Sequence, residues 1–323
     1  MRRQGRSSFQ FCSMVVHPNV KVNLGLSVIR KRPDGFHELE TLFAPYFGIS
    51  DTLEIIVGDG WSETSASLFA RYSDDQLAQA ISEDGKVMIT IARKEGVDWD
   101  PLKDLTVKAY HLLAEDFELK PVKIFLEKTS PVGAGLGGGS ADAAFALRVL
   151  DGLFALGLSD ESLAAYAARL GSDCAFFIYN RPMLGRGRGE ILEPFSLEGI
   201  DLSGNDSACA VPVGPSESEN TDPAVSRYLL KVIVPDGIAV STAEAYRGIT
   251  PREAMADCPY VPLMDALEKP VEEWKDALVN DFETTVFAAH PKLAAIKQSL
   301  YDSGAVYASM SGSGSALFAI YKK

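Results

Sequence analysis

Residues 19–29 read NVKVNLGLSVI, which puts Val20, Val22, Leu24 and Leu26 on one side and Asn19, Lys21 and Asn23 on the other. Side chains of a strand point alternately to opposite faces, so this is a half-buried strand carrying a row of polar groups. The segment KRPDGFHELETLF follows, and its Pro33-Asp34-Gly35 is a strong turn signal, so the two stretches predict a β-hairpin. DTLEIIVGD and KVMITIA predict further strands. Over 105–117 the apolar residues Leu105, Ala109, Leu112, Leu113 and Phe117 recur at helical spacing, and PVKIFLEK at 121–128 returns to strand. A helix is expected over 140–156 with Ser140 as its N-cap, and another between Ser159 and the stop at Gly171. Strands first and mixed elements afterwards predict an α+β fold rather than a regular βαβ alternation.

Between strand and helix lies PVGAGLGGGSADAA, residues 131–144. Glycine reaches positive φ and admits close approach of a ligand to the backbone. At a helix N-terminus such a loop leaves N–H groups unpaired, with the positive end of the helix dipole behind them. A tight turn needs one or two glycines; Gly133, Gly135, Gly137, Gly138 and Gly139 exceed that, and phosphate is the expected occupant. The loop is not a Walker A motif, because Ser140-Ala141 stands where Lys-Ser/Thr is needed, and no protein-kinase signature occurs elsewhere. Gly133, Gly135 and Gly138 satisfy GxGxxG with Asp160 further on, yet the βα units of a dinucleotide fold do not follow.

Composition narrows the picture little. With 46% hydrophobic and 23% charged residues the chain is of globular type, and a net charge of −13 argues against nucleic-acid or membrane partners. An anionic substrate then needs a locally basic or amide-rich pocket. Cys12, Cys174, Cys209 and Cys258 are dispersed, without zinc-ligand or disulfide spacing, as in a reducing cytoplasm. Residues 1–13 read as a loose N-terminal extension, with Met14 as the expected true start. The stretch 201–227, rich in Ser, Pro, Asp and Gly, reads as a polar insertion, and 61–83 belongs to no motif.

The glycine loop resembles the phosphate loop of the GHMP kinases. KVNLGLSVIRKRPDGFHELETLF, GSDCAFF, GRGRGE and MSGSGSALF narrow the resemblance to the 4-diphosphocytidyl-2-C-methyl-D-erythritol kinase family, with blocks in family order from residue 14 to 319. The resemblance implies a two-domain GHMP kinase fold. Its N-terminal domain, expected over 14–180, is like the second domain of a small-subunit ribosomal protein, and a ferredoxin-like C-terminal domain is expected over 181–323. It also implies ATP with Mg²⁺ as cofactors and phosphorylation of the tertiary 2-hydroxyl of the methylerythritol unit, a step of non-mevalonate isoprenoid biosynthesis.

By that resemblance Asp173 and Lys21 are catalytic. Pro131, Gly133, Ala134, Gly135, Leu136, Gly137, Gly138, Gly139 and Ser140 bind ATP, with Mg²⁺ near Ser140 and Asp142. Asn23, Phe36, His37, Tyr246, Gly312 and Ser313 bind substrate: Phe36-His37 takes the cytosine, and Tyr246 closes over its other face. Without the motif, Asp173 is a turn aspartate, Lys21 a solvated strand lysine and Tyr246 an ordinary core ring. His17 is expected at the site entrance, and Asn280 or Asp281 in NDFE as a helix cap. The chain departs from the family pattern at Phe36, usually tyrosine, and at Asp104, usually asparagine close to adenine. Another GHMP kinase acting on a sugar or mevalonate-like alcohol, and a catalytically silent binding protein of this fold, are the alternative readings.

Overall fold

The computed structural model describes residues 13–58, 63–204, 226–255 and 261–323. The first half runs β1 (Ser13–Val16), β2 (Asn19–Lys31), β3 (His37–Ser50), β4 (Thr52–Val57), α1 (Glu63–Arg71), β5 (Leu77–Ile81), β6 (Val87–Arg93), α2 (Leu105–Ala114), β7 (Val122–Lys128), α3 (Gly138–Phe154), α4 (Asp160–Leu170) and α5 (Cys174–Tyr179). The second runs β8 (Met183–Gly187), β9 (Ile191–Pro194), β10 (Ile200–Asp201), β11 (Tyr228–Ile233), α6 (Thr242–Tyr246), α7 (Leu263–Leu267), α8 (Trp274–Ala277), α9 (Phe282–Ala289), α10 (Pro291–Asp302), β12 (Tyr307–Met310) and β13 (Leu317–Lys322).

Among the described residues three sheets result, with strand orders β1-β4-β7-β6-β5, β2-β3-β8-β9 and β10-β11-β13-β12. Alternation on β4, β6 and β7 turns Leu53, Ile55, Ile89, Ile91, Ile124 and Leu126 onto the helices α2 to α5. Their outward neighbours Ile56, Ala92 and Phe125 are covered by Leu68 of α1, so part of the unassigned stretch 61–83 closes the second face of that sheet. Arg71 and Tyr72, at the end of α1, both bond the Glu127 carboxylate of β7, at 2.8 Å and 2.7 Å.

The predicted hairpin forms, with β2 antiparallel to β3. Its polar row is not solvated: Asn19, Lys21 and Asn23 are all nearly fully buried, because the hairpin lies between two cores. Val20, Val22 and Leu24 pack with Tyr307, Phe318 and Ile320 of the C-terminal sheet. Phe43 on the opposite face joins the N-terminal core. Leu26 departs from the expected alternation. A register shift at Gly25, where φ is +72°, pairs Leu24 with Leu42 but Leu26 with Thr41, so Leu26 crosses to the polar face.

A methyl group on Gly25 would lie 2.5 Å from Leu278 Cδ1 and 2.6 Å from Leu263 Cδ1. Gly25→Ala is therefore expected to cost about 1–3 kcal/mol, from the left-handed backbone and the crowding together. A denaturant midpoint measured with unchanged m-value checks it.

Three other expectations change. A boundary at 180 does not divide the sheets, because β8 pairs with β3 and carries β9 with it. The α3 helix starts two residues early, at Gly138 with Gly137 in the cap position, so Ser140 stands inside the first turn. Of the extension over 1–13 only Ser13 is described, and it opens β1, paired with Ile56. Most of 201–227 lies outside the described residues, but its first residue, Asp201, is buried in β10 beside Leu229. Ser159 caps α4 by accepting the Ser162 N–H, as expected.

Candidate active site

The loop between β7 and α3 turns by three glycines at positive φ, Gly133 (+70°), Gly135 (+76°) and Gly137 (+73°), which carry the chain into the helix. Gly135 also has no room for a side chain, since a Cβ would fall 2.2 Å from the carbonyl oxygen of Ser311. That contact joins the glycine loop to the turn between β12 and β13. Ser311 Oγ donates to Gly135 O at 3.1 Å, and the Ala316 N–H donates to Ala134 O at 3.1 Å. Asn280 Nδ2 donates to Met310 O and Gly312 O at 2.7 Å and 2.8 Å, bracing the same turn from α9. At the start of α3 a Cβ on Gly139 would meet nothing within 4 Å, so that side of the first turn is open. First-turn N–H groups have no intrahelical acceptor and carry the positive end of the dipole.

A cavity of about 540 Å³ opens at this helix end. Lys21, Asn23, Asp173, Tyr246, Gly312 and Ser313 line it, as do Pro131, Gly133, Ala134, Gly135, Gly137, Gly138, Gly139 and Ser140. Leu136 is the loop residue left out: its side chain is buried in the core shared with β2, and its carbonyl accepts the Lys21 N–H at 3.0 Å. The inward face of the hairpin adds Leu26, Leu39, Thr41 and Phe43.

Lys21 Nζ donates to Asn23 Oδ1 at 2.5 Å and to Gly135 O at 2.9 Å, and stands 3.5 Å from Asp173 Oδ2. Burial pulls the Lys21 amine below its ordinary value, opposed by the Asp173 charge and hydrogen bond. Asp173 occupies the N-cap position of α5, yet its side chain makes no capping bond. The carboxylate is held toward the cavity and the lysine instead. Lys21 is therefore not a solvated lysine, and Asp173 stands in the turn before α5 without capping it.

Phe36 and His37 are not among the lining residues, but the His37 ring stacks on that of Tyr246, which is, with centroids 4.7 Å apart and planes 19° apart, and Phe282 meets Tyr246 edge-on. That spacing leaves no gap for a base between His37 and Tyr246. Burial pushes the Tyr246 phenol up to about 12, with Asp173 adding to the rise, so it stays a neutral donor. Desolvation, then Lys31, lowers His37, which favours a neutral imidazole able to donate at one nitrogen and accept at the other. Phe36 is exposed, and the Arg188 guanidinium lies 5.0 Å from its ring centroid.

His17 is exposed and turns to Thr52 rather than to the cavity. Asn19 pairs with the Asn180 amide, outside the site. Asn280 accepts the Phe282 N–H at the start of α9, whereas the Asp281 carboxylate accepts from Val28 N and Arg252. Asp104 caps α2 through the Thr106 N–H while lining the cavity, so its oxygens are partly committed to that cap.

Sequence reading missed the cluster behind the loop. Lys128 Nζ contacts Asp51 Oδ2 at 2.5 Å, Asp142 Oδ2 at 2.7 Å and Ser130 Oγ at 2.9 Å, all buried. Asp51 Oδ1 in turn accepts the Thr129 and Ser130 N–H groups, tying down the entry to the loop. Lys128 ends an alternating strand, which is also how a surface lysine reads; Asp142 so close after five glycines was the available signal. Ser311, beside the recognised Gly312-Ser313, was missed as well.

A glycine-rich helix end, an ammonium and a carboxylate paired with it but not used as a cap stand together in one cavity, the arrangement a small-molecule phosphotransferase needs. The GHMP kinases N terminal domain family matches residues 104–181, and the GHMP kinases C terminal family matches 263–323. A 4-diphosphocytidyl-2-C-methyl-D-erythritol kinase of Bacteroides thetaiotaomicron is 40% identical over 96% of this chain and 92% of its own. One from Parabacteroides distasonis is 38% identical over 96% and 92%. A crystal structure of 4-(cytidine 5'-diphospho)-2C-methyl-D-erythritol kinase superposes with a TM-score of 0.64 at 29% identity, covering 95% of this chain and 89% of that one. The chain belongs to the 4-diphosphocytidyl-2-C-methyl-D-erythritol kinase family, within the GHMP kinases. It is an ATP-dependent small-molecule kinase.

Proposed function

We propose that the chain transfers the γ-phosphoryl group of ATP to the 2-hydroxyl of 4-diphosphocytidyl-2-C-methyl-D-erythritol. The products are the 2-phosphate and ADP, within cytoplasmic isoprenoid precursor synthesis by the non-mevalonate route. The observation that carries this reading is the Lys21–Asp173 pair, 3.5 Å apart at the mouth of the glycine loop. Phosphoryl transfer asks chiefly for positioning and charge stabilisation. The first-turn amides of α3 receive phosphate oxygens, and the Lys21 ammonium offsets charge on the transferred group. Asp173 takes the proton of the crowded tertiary hydroxyl, or holds that hydroxyl in line. Phe36, His37 and Tyr246 form the aromatic rim suited to a pyrimidine, which stacks outside the His37–Tyr246 pair rather than within it.

Mg²⁺ accompanies ATP in this reading. Among the described residues no group of three or more His, Cys, Asp or Glu could hold a metal. A hard cation that keeps water and phosphate ligands needs only one or two protein oxygens. Asp142 Oδ1 fits: it is buried at the cavity wall without a hydrogen-bond partner, and the Ser140 hydroxyl belongs to the same wall. Bound there, the ion would neutralise charge on the phosphate oxygens. Among the described residues no helix is long and apolar enough to cross a membrane. The N-terminal domain then contributes the loop and Asp173, and the C-terminal one Tyr246 and the Gly312-Ser313 turn.

ADP release in a coupled assay with Mg·ATP tests the reading. Turnover is expected with the cytidyl-diphosphate substrate and not with free methylerythritol phosphate. ATP binding without turnover on the cytidyl substrate would point to another alcohol acceptor.

A further inference from the structure

Three cations line the cavity, Lys21, Lys128 and Arg188, against three carboxylates, Asp104, Asp142 and Asp173. Two of the cations pair with carboxylates of the lining. Lys21 faces Asp173 at 3.5 Å, and Lys128 is clamped by Asp142 and Asp51. Arg188 faces none of the lining carboxylates. Its Nε lies 3.4 Å from Glu190 Oε1, a carboxylate already gripping the Arg188 N–H across the β8–β9 turn. The Asp34 carboxylate of the hairpin tip also feels the Arg188 charge. The guanidinium lies 5.0 Å from the Phe36 ring centroid, and Arg188 lines the same cavity as Asp173. Arg188 thus belongs both to the aromatic hairpin tip and to the cavity wall.

Resting on the functional reading above, we infer that Arg188 is a specificity-determining residue that binds the diphosphate joining the cytidine to the sugar alcohol. A guanidinium is permanently charged and presents a planar fork of donors matching two phosphate oxygens. It carries no acceptor, so it is less suited to a base edge that offers both donors and acceptors, a task the neutral His37 can meet. In a chain of net charge −13, a cation at the cavity wall that pairs with no lining carboxylate offsets the repulsion that a diphosphate would otherwise meet. Until the substrate arrives, Phe36 stores the guanidinium by cation–π contact. The stored cation leaves the ring face when the phosphates engage it, which frees Phe36 for the base.

The test uses Arg188→Gln and Arg188→Lys with cytidine, CMP and CDP as probes, binding being measured by calorimetry and substrate turnover by the coupled assay. Arg188 is half exposed, and a matching thermal melt verifies folding. Arg188→Gln is expected to weaken CDP about 10- to 100-fold and raise the substrate KM alike, with cytidine changed less than about twofold. The KM for ATP should stay as in the wild type, and lysine should restore part of the loss. High salt should narrow the gap between wild type and variant. Unchanged CDP binding, or equal losses for cytidine and CDP, would overturn the assignment. Wild-type protein that binds CDP but does not turn over the substrate would instead count against the functional reading, while the calorimetry still decides Arg188.

Discussion

Asp173→Asn is expected to lower kcat by about 10²- to 10⁴-fold, with the KM for ATP and for the substrate each moving only a few fold. The substitution keeps size and hydrogen bonding and removes the charge. The protein should remain folded, because the Asp173 side chain makes no helix-capping bond that asparagine would have to replace. A pH profile adds a second readout. Burial lowers the Lys21 amine, and the Asp173 charge opposes that fall. Without the charge, desolvation acts with less opposition and the amine drops further. Activity needing the ammonium is lost as pH rises through the amine's pKa, so the alkaline limb of residual activity should move to lower pH. Lys21→Met should cost a comparable factor, and the double variant little more than either single one, since the groups act as a pair. A variant with unaltered kcat would remove Asp173 from the chemistry, and losses that simply multiply would show the two groups acting independently rather than as a pair.

Much of this site was legible beforehand because backbone demands are written locally. The glycines of 131–139 specify a loop at positive φ, and the alternation of 19–24 specifies which side chains share a face. What was not legible depended on contacts distant in sequence. Nothing in NVKVNLGL tells that its polar row is covered by a second core, since burial of Lys21 needs Gly135, Asn23 and Asp173 together. The bulge at Gly25 was hidden because glycine in a strand reads as a weak position as easily as a register shift. Leu26 changed face for that reason alone. The stacking of His37 on Tyr246 joins residues 209 positions apart, with Phe282 of α9 edge-on to Tyr246, and no local pattern encodes it. Extension of the hairpin sheet by β8 and β9 is likewise a tertiary choice that no local pattern announces.

Lys128→Met is expected to destabilise the fold by about 3–5 kcal/mol, because it leaves buried carboxylates without their cation. Lys128 is 4% exposed, and its partners Asp51 and Asp142 are 0% and 2% exposed, so water cannot substitute for the ammonium. The loss should depend on pH. Burial holds the Asp142 carboxyl well above the ordinary 3.8, and Lys128 is the main influence lowering it. A carboxyl with a raised folded pKa binds its proton more tightly when folded than when unfolded. Its contribution to stability is thus present at low pH and lost as pH rises through the folded value. Removing Lys128 extends that window upward, so the deficit in denaturant midpoint should be larger at about pH 8 than at about pH 5.5. Adding Asp142→Leu to Lys128→Met should recover part of the stability by removing a buried charge, whereas Asp142→Leu alone should not gain it. A pH-independent deficit would mean that Lys128 contributes through packing of its alkyl stem. The ion cluster would then have no part in setting Asp142, and the glycine loop would rest on the Asp51 hydrogen bonds to Thr129 and Ser130 alone.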